Sequence, residues 1–314
     1  MTATGALGRR IRVLYNPNSG RKAGLPTNGT SAEFLRDLLE RHQLGDELLE
    51  TASEEEAVDA TRSAAADGYD VVVAAGGDGS IGLVARELLG TDTALGILPL
   101  GSIMNIPRML GVPRDLEGAA AVLRDGVTRR IDVGEVGGDV FFEAGSVGFH
   151  AAVFRELPKV DAGDYAAILR SMMAAFRYRP SRITVELDGD SDGAVHTRAL
   201  LVAVANGPFM GAGFTVAPEA VLDDGLLDVR IFRHFSKREL IRHFATIAFG
   251  RRAYVPHVIT KRAARVRIVG ARPLPARADA NDLGTTPVEY RIRPAALLVV
   301  APPPAAHGTP GLSG

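Results

Sequence analysis

Residues 71–80 read Val-Val-Val-Ala-Ala-Gly-Gly-Asp-Gly-Ser, an apolar and largely β-branched run that stops at a glycine-rich turn. The run predicts a buried parallel strand, and the turn predicts a loop that leads into a helix. Glycines leave backbone N–H groups uncovered, and a helix N-terminus carries partial positive charge, so an anion can approach the main chain there. The stretch therefore predicts a phosphate-binding loop for a nucleotide polyphosphate.

The alternative interpretation is a tight strand-to-helix turn without a ligand, because no Gly-Lys-Ser/Thr follows as in a Walker A loop. Two further segments favour a ligand site. Residues 11–15 and 94–100 are also apolar, and each runs into a loop of small or polar residues. Open α/β sheets bind ligands outside the carboxyl ends of their strands, so these loops are expected to share one site.

Length and composition narrow the class of protein. With 314 residues and 46% hydrophobic content, the chain is long enough for two domains with their own cores. It has no cysteine, which excludes disulfides, thiolate catalysis and cysteine-ligated metals. Neither a membrane-spanning run nor a signal peptide is recognisable, so we expect a cytoplasmic location.

Charge is distributed unevenly although the net charge is only −1. Residues 226–275 are strongly basic, and the block from Arg251 to Arg267 predicts contact with an anionic membrane surface. A solvated basic face is the alternative. Nucleic-acid binding is not expected, because neither stacking aromatic residues nor a recognisable binding motif accompanies the basic residues.

The pattern of elements changes near residue 130. Before it, strands alternate with helices, which predicts a parallel sheet covered on both faces. Thr30 with Glu33 and Ser53 with Glu56 predict capped helix starts, and further helices are expected over residues 80–89 and 114–124. After it, period-two strands predict a β-rich second domain. The strands are expected at 131–136, 140–144, 183–187, 197–205, 227–232, 264–269 and 288–292, with helices at 164–177 and 237–249.

Later segments carry further motifs that are as specific as the glycine loop. They are Phe142-Glu143-Ala144-Gly145-Ser146-Val147-Gly148, Ala205-Asn206-Gly207, Asp223-Asp224-Gly225-Leu226-Leu227-Asp228-Val229 and a closing strand over residues 294–302. With the loop at residues 76–80 and Asn16-Pro17-Asn18-Ser19-Gly20, these motifs resemble the diacylglycerol kinase catalytic family, which includes bacterial diacylglycerol kinases and sphingosine kinases. NAD kinases share the Gly-Gly-Asp-Gly loop, but residues 223–229 and the closing strand favour the lipid kinases.

The resemblance implies a fold and an activity. We expect an α/β N-terminal domain with a parallel sheet, of the NAD kinase/diacylglycerol kinase type, over residues 9–133, to which the strand 294–302 returns. A C-terminal β-sandwich domain that binds lipid is expected over residues 134–293, followed by a disordered tail at 303–314. The implied enzyme is a lipid kinase that transfers the γ-phosphate of ATP to a diacylglycerol-like or sphingoid hydroxyl at the membrane surface, with Mg²⁺. Whether it forms a homodimer stays open.

Candidate site residues follow from the glycine loop and from the resemblance. ATP is expected at Asn16, Ser19, Gly20, Thr51, Gly76, Gly77, Asp78, Gly79, Ser80, Gly101 and Ser102. The metal is expected at the Asp224 carboxylate and the carbonyls of Val221 and Leu226, with Asp132 reaching it through water. Asp279 is the expected general base for the lipid hydroxyl. A plain turn at Asp223-Asp224-Gly225 and a helix-capping role for Thr51 are the alternatives.

Several positions depart from the family pattern. Ala280 and Asn281 replace Gly and Glu, Gly82-Leu83 replaces Asn-Glu, Glu143 stands where Asn is usual, and Asn105 is displaced by one residue. They leave open a weak or inactive nucleotide- or lipid-binding relative, and a kinase for a soluble acceptor such as NAD is the other alternative. The side chains expected either to line an acyl-chain cleft or to form ordinary core are Phe149, Phe154, Leu157, Ile168, Met172, Met173, Phe176, Phe209, Met210 and Phe214.

Overall fold

The computed structural model describes residues 8–17, 21–22, 25–26, 30–45, 47–155, 166–233 and 258–303. The predictions for Ser19, Gly20, Leu157, the helix at 237–249 and the tail from 304 lie outside the described residues, as do residues 251–257 of the basic block and the side chain of Ile168.

The strands are β1 Ile11–Tyr15, β2 Arg21–Lys22, β3 Leu25–Pro26, β4 Leu48–Glu50, β5 Val71–Gly76, β6 Ala94–Pro99, β7 Val127–Val136, β8 Asp139–Phe141, β9 Ala144–Gly148, β10 Ser181–Leu187, β11 Asp190–Ala199, β12 Leu201–Ala205, β13 Phe209–Met210, β14 Phe214–Thr215, β15 Leu227–Phe232, β16 Val258–Ala263, β17 Arg265–Gly270, β18 Pro275–Ala278, β19 Asn281–Thr285 and β20 Val288–Ala301. The helices are α1 Ala32–Arg41, α2 Glu54–Ala66, α3 Asp78–Glu87, α4 Asn105–Leu110, α5 Leu116–Asp125, α6 Phe149–Phe154 and α7 Ala166–Arg177.

The first part of the chain forms the predicted parallel sheet. Strands β4, β1, β5 and β6 lie side by side in that order, and each neighbouring pair is parallel. Every residue of β5 and β6 is buried, as expected for strands covered on both faces. The carboxyl ends of these strands therefore lie along one edge of the sheet.

Strand β20 joins this sheet to the second part of the chain. Its Val299 pairs in parallel with Leu95 of β6, and β20 pairs antiparallel with β7 along most of its length. Its first half also pairs with β17. The result is one ten-stranded sheet that runs through both parts of the molecule. The predicted strand at 288–292 and the closing strand are thus a single strand with an irregularity between Arg293 and Leu297.

The second part is the predicted β-sandwich. A six-stranded sheet, in the order β16-β15-β12-β9-β18-β19, packs against the β11-β10-β17-β20 portion of the large sheet. The core between the two sheets includes Val185, Val204, Val229, Val266 and Tyr290, all fully buried. The predicted strand at 197–205 is wrong as a single strand. β11 ends at Ala199 and β12 begins at Leu201, and the two strands belong to different sheets.

Most of the described helices begin one or two residues from their predicted starts, whereas α2 begins where it was predicted. Ser31, not Thr30, caps α1, because the Ser31 hydroxyl accepts from the Phe34 N–H at 3.2 Å. The Thr30 carbonyl instead accepts from the Tyr15 hydroxyl, which holds Thr30 outside the helix. Ser53 caps α2 as predicted. Helix α3 begins at Asp78 rather than at residue 80, directly after the glycine pair that ends β5.

Candidate active site

The glycine loop lies between β5 and α3, at the carboxyl edge of the parallel sheet. Gly77 is the N-cap of α3 and has no side chain to satisfy the first N–H groups of the helix. A Cβ placed on Gly79 would meet no atom within 4 Å, so this side of the loop is open. Gly77 has a φ of −89°, which any residue adopts. Its lack of a side chain therefore serves close approach rather than an unusual backbone conformation.

A second loop packs directly on the first. The Leu100 N–H donates to the Gly76 carbonyl at 2.9 Å, and a Cβ on Gly101 would lie 2.7 Å from the Gly77 Cα. The two loops therefore pack closely because a glycine of one loop contacts a glycine of the other. Ser102 is exposed beside this contact, and its carbonyl accepts from Arg114 at 2.9 Å.

The remaining ATP candidates that are described lie along the same edge. Asn16 directly follows β1, and Thr51 directly follows β4. Thr51 is buried, and its N–H donates to the Tyr15 carbonyl at 2.8 Å. Because β4, β1, β5 and β6 are parallel neighbours, the segments that follow them converge at one place.

Asp78 holds the next helix in place. Its carboxylate accepts from the N–H of Asn105 at 3.0 Å and from the N–H of Ile106 at 2.9 Å, which satisfies the first turn of α4. The Asp78 side chain is therefore engaged by protein. The phosphate-binding role predicted for this loop therefore depends on its main-chain N–H groups.

Asn105 connects the glycine loop to the second half of the molecule. The extra residue in the loop before it is absorbed at Met104, which adopts a left-handed φ of 63°. Asn105 is fully buried, and its amide nitrogen donates to the Glu143 carboxylate and to the Gly211 carbonyl, both at 2.7 Å. The displacement in sequence thus leaves Asn105 inside the site.

Asp279 occupies the turn between β18 and β19, with a left-handed φ of 44°. Its Oδ1 accepts from the N–H groups of Glu143 and Ala144 at 3.0 and 3.1 Å, and its Oδ2 accepts from the Phe142 N–H at 2.7 Å. A carboxylate oxygen has two lone pairs, so Oδ2 keeps one for a proton. Burial raises the pKa of Asp279 to about 6, against the opposing effect of the three N–H donors and Arg86.

The turn explains two of the departures from the family. Ala280 is not among the described residues with positive φ, so its Cβ is accommodated where the family has Gly. The Asn281 side chain donates to the Asp139 carboxylate at 2.7 Å. Asn281 thus ties this turn to the start of β8.

Glu143 is a buried acid beside Asp279. Burial, followed by the negative charges of Asp279 and Asp78, raises the pKa of Glu143 to about 9. A continuous series of polar contacts runs from Asp78 through Asn105 to Glu143, and from the Glu143 backbone to Asp279. The sequence analysis assigned no role to Asn105 or Glu143. The signal available in the sequence was that both residues depart from the family pattern.

The expected metal ligands lie near the start of β15. Asp132 is buried, and its carboxylate accepts from the Gly225 N–H at 2.7 Å and the Ala295 N–H at 2.8 Å. Asp224 accepts from the Leu226 N–H at 3.0 Å and forms an ion pair with Arg262. Carboxylate and carbonyl oxygens are the donors that Mg²⁺ prefers, so the residues fit in type. Among the described residues, no cluster of three or more His, Cys, Asp or Glu is placed to hold a metal.

Asn206 links the metal region to the Asp279 region. Its amide nitrogen donates to the Asp132 carbonyl at 3.2 Å and to the Phe142 carbonyl at 3.0 Å, and its N–H donates to the Glu143 carbonyl at 3.0 Å. The motif around Asn206 was noticed in the sequence, but only the structure shows that it fixes the backbone from which Asp279 receives its hydrogen bonds.

Apolar side chains lie exposed on α7. Met172, Met173 and Phe176, from the set expected to line a cleft or form core, are exposed together with Leu169. They follow one another at helical spacing and lie on one face. Met210, by contrast, is buried in a small core cluster. None of the helices in the described part of the chain has the length and apolar content that a membrane crossing requires.

Glycine-rich loops lie at the carboxyl edge of a parallel sheet, next to a partly buried carboxylate carried by a β-sandwich, an arrangement that suits a two-domain phosphotransferase. Two family models match: "Diacylglycerol kinase catalytic domain" over residues 10–136, and "YegS C-terminal NAD kinase beta sandwich-like domain" over residues 146–301. A diacylglycerol kinase from Bacillus subtilis is 31% identical over 293 residues, which cover 90% of this chain and 93% of the relative.

Two other matches agree with these. A probable lipid kinase YegS-like protein from Chromohalobacter salexigens is 37% identical over 187 residues, covering 57% of this chain and 59% of the relative. The crystal structure of a diacylglycerol kinase from Bacillus anthracis superposes with a TM-score of 0.70 at 18% identity, covering 94% of this chain and 97% of that one, and it supports the fold. The chain belongs to the diacylglycerol kinase catalytic-domain family and is an ATP-dependent kinase.

Proposed function

We propose that the protein transfers the γ-phosphate of ATP to the hydroxyl of a diacylglycerol-like or sphingoid lipid at the surface of an anionic membrane. The observation that carries this proposal is the Asp279 carboxylate, fixed by three backbone N–H groups and connected through Glu143 and Asn105 to the glycine loop. Relatives named diacylglycerol kinase and lipid kinase support a lipid acceptor.

The chemistry divides between the two parts of the molecule. The glycine loop and the start of α3 bind the phosphates of ATP through backbone N–H groups. Asp279 Oδ2 accepts the proton of the lipid hydroxyl as its oxygen attacks the γ-phosphorus and the bond to the ADP leaving group breaks. With a pKa of about 6, Asp279 is mostly ionised at neutral pH and can accept that proton.

Magnesium is proposed at the Asp224 carboxylate and the carbonyls of Val221 and Leu226, with Asp132 bound through water. A bound ion would supply a positive charge that joins the turn at residues 223–225 to the middle of β7, where Asp132 lies. Asp224 must then exchange its ion pair with Arg262 for the metal. Asp132 contributes by holding the Gly225 N–H, which fixes the shape of the turn.

The proposed membrane contact is the exposed face of α7. Leu169, Met172, Met173 and Phe176 form it, and the exposed basic residues Arg177 and Arg179 follow directly. Apolar side chains flanked by basic residues suit an anionic lipid surface.

The basic block from Arg251 to Arg267 is a weaker candidate. Within its described part, Arg262 pairs with Asp224, Arg265 with Glu289 at 2.7 Å and Arg267 with Glu186 at 2.9 Å. These neighbouring carboxylates balance their charge, which favours the solvated-face alternative for that portion of the block.

A labelled-ATP assay across diacylglycerol, sphingoid bases, glycolipids and NAD, with and without Mg²⁺, tests the proposal. Phosphorylation of a lipid that requires Mg²⁺ is expected. Transfer to NAD alone would contradict the lipid acceptor. ATP binding without transfer to any acceptor would instead establish the protein as a non-catalytic nucleotide-binding member of the family.

A further inference from the structure

Glu143 brings an additional acid into the most buried part of the site. It stands where the resemblance leads one to expect Asn, and it is 8% exposed. Its carboxylate oxygen Oε2 accepts from the Asn105 amide at 2.7 Å. The salt bridges found among the described residues include none to Glu143. An ionised carboxylate in such a place would be desolvated, with hydrogen bonds from Asn105 and from the Gly211 backbone but with no ion pair to offset the cost of losing water.

The charged groups around Glu143 do not compensate for that cost. Asp78 on α3 and Asp279 at the β18–β19 turn are both negative neighbours. Arg86 on α3 acts on Asp279. The Arg277 guanidinium donates to the Asp279 carbonyl at 3.0 Å and also attracts Glu143, but it forms no ion pair with the Glu143 carboxylate. His150 on α6, near Gly211, is held neutral because burial lowers its pKa to about 3.

We propose that Glu143 functions as a neutral carboxylic acid, which replaces the family's amide without adding charge, holds Asn105 in position and leaves Asp279 as the only ionised group of the pair. This inference rests on the proposed function, because it assigns Asp279 as the base. Glu143 is a positioning residue that keeps its proton through the reaction, while Asp279 gains the proton of the acceptor hydroxyl. The direction of its pKa, raised by burial, agrees with the geometry.

The proposal predicts that the activity of this protein falls at alkaline pH, where Glu143 ionises. When Glu143 loses its proton, a second negative charge appears beside Asp279 and close to Asp78, where the triphosphate is expected. Nucleotide binding and turnover should then fall, by roughly tenfold per pH unit above the point where Glu143 ionises. With the pKa of Glu143 at about 9, this limb should begin near that pH.

The test compares the parent with Glu143→Gln and Glu143→Asn, which are neutral at every pH. The kcat/KM profile of the parent should show the alkaline limb, and the profiles of both variants should lack it, whatever their height at neutral pH. Glu289→Gln is the matched control. Glu289 pairs with Arg265, which holds its pKa below the usual range, so this variant should keep the limb.

A second measurement does not depend on activity. A pKa raised in the folded state means that the parent loses stability relative to the glutamine variant as pH rises from about 5 to about 9. The unfolding temperature of the glutamine variant minus that of the parent should therefore rise over that range and then stay constant. A constant gap from pH 5 to 9 would overturn the inference even if the kinase is active. A widening gap without lipid phosphorylation would support a neutral Glu143 and contradict only the proposed function.

Discussion

The Gly77→Ala substitution is expected to weaken ATP binding while leaving the stability of the fold nearly unchanged. The Cβ of Gly77→Ala would have the Gly101 Cα at 3.4 Å as its nearest neighbour, an ordinary contact distance. Its φ of −89° carries no penalty for alanine, so the positive φ that a glycine at this place suggests is not present. The change in stability should therefore stay within about 1 kcal/mol.

Nucleotide affinity should respond much more strongly. The added methyl group lies at the N-cap of α3, where a phosphate would approach the backbone. Losing one charge-assisted hydrogen bond costs about 1.5–3 kcal/mol, which corresponds to roughly 10- to 150-fold weaker ATP binding. Calorimetric titration with ATP and thermal unfolding of the same preparation measure the two effects separately.

Gly101→Ala and Gly82→Ala are the comparison variants. The Cβ of Gly101→Ala would lie 2.7 Å from the Gly77 Cα, so the backbone must shift. This should cost about 1–3 kcal/mol of stability as well as ATP affinity. Gly82 lies further along α3, and a Cβ placed on it would have the Phe142 ring at 3.8 Å as its nearest neighbour. The Gly82→Ala variant should therefore lose neither stability nor ATP affinity. ATP affinity unchanged in a folded Gly77→Ala variant would refute the assignment of the loop.

Three further predictions concern the other parts of the site. Asp279→Asn should lower lipid phosphorylation by roughly 10²–10⁴-fold. It should also lower the unfolding temperature, because an amide nitrogen facing the Phe142 N–H cannot accept its hydrogen bond, and unchanged turnover would exclude Asp279 as the base. Mg²⁺ should raise the unfolding temperature of the parent, less in Asp224→Asn and more in Arg262→Gln, and an equal response in all three would place the ion elsewhere. Phe176→Ser should weaken sedimentation with anionic vesicles at physiological salt, and equal binding by parent and variant would contradict the α7 contact.

The strand, glycine turn and helix of residues 71–87 and the β-rich character of the second part were predictable because their signals are local, whereas the β-sandwich was predicted from the family resemblance. A run of buried β-branched residues followed by glycines specifies β5 and the start of α3 within a single short segment. Period-two alternation likewise indicated most strands of the second part. Around Leu200, where the chain passes from one sheet to the other, residues 199–205 are all apolar. Such a run predicts buried strand, but it does not show that one strand ends there or which sheet contains the next.

Side-chain roles inside the site were less predictable because they depend on distant partners. Asp78 reads as a phosphate-loop residue in the sequence, yet its carboxylate bonds to the backbone of Asn105 and Ile106, far along the chain. Thr30 and Ser31 are both good helix caps by residue type. The Tyr15 hydroxyl, which bonds to the Thr30 carbonyl, determines which of the two begins the helix.

Two departures from the family pattern, Asn281 and Glu143, lie close to Asp279 in the structure. The acid missing at Asn281 belongs to the turn that contains Asp279, and the acid gained at Glu143 donates its N–H to Asp279, but the two positions are not equivalent. Asn281 is bonded to Asp139 at the edge of the turn, whereas Glu143 is buried against Asn105. An acid at position 281 would meet the Asp139 carboxylate, and like charges repel. Exchanging Asn281 for Glu alone therefore adds a repulsion rather than restoring a site. In the proposed arrangement the extra carboxyl group, Glu143, is kept neutral by burial. Asp279 can then ionise without a second negative charge beside it.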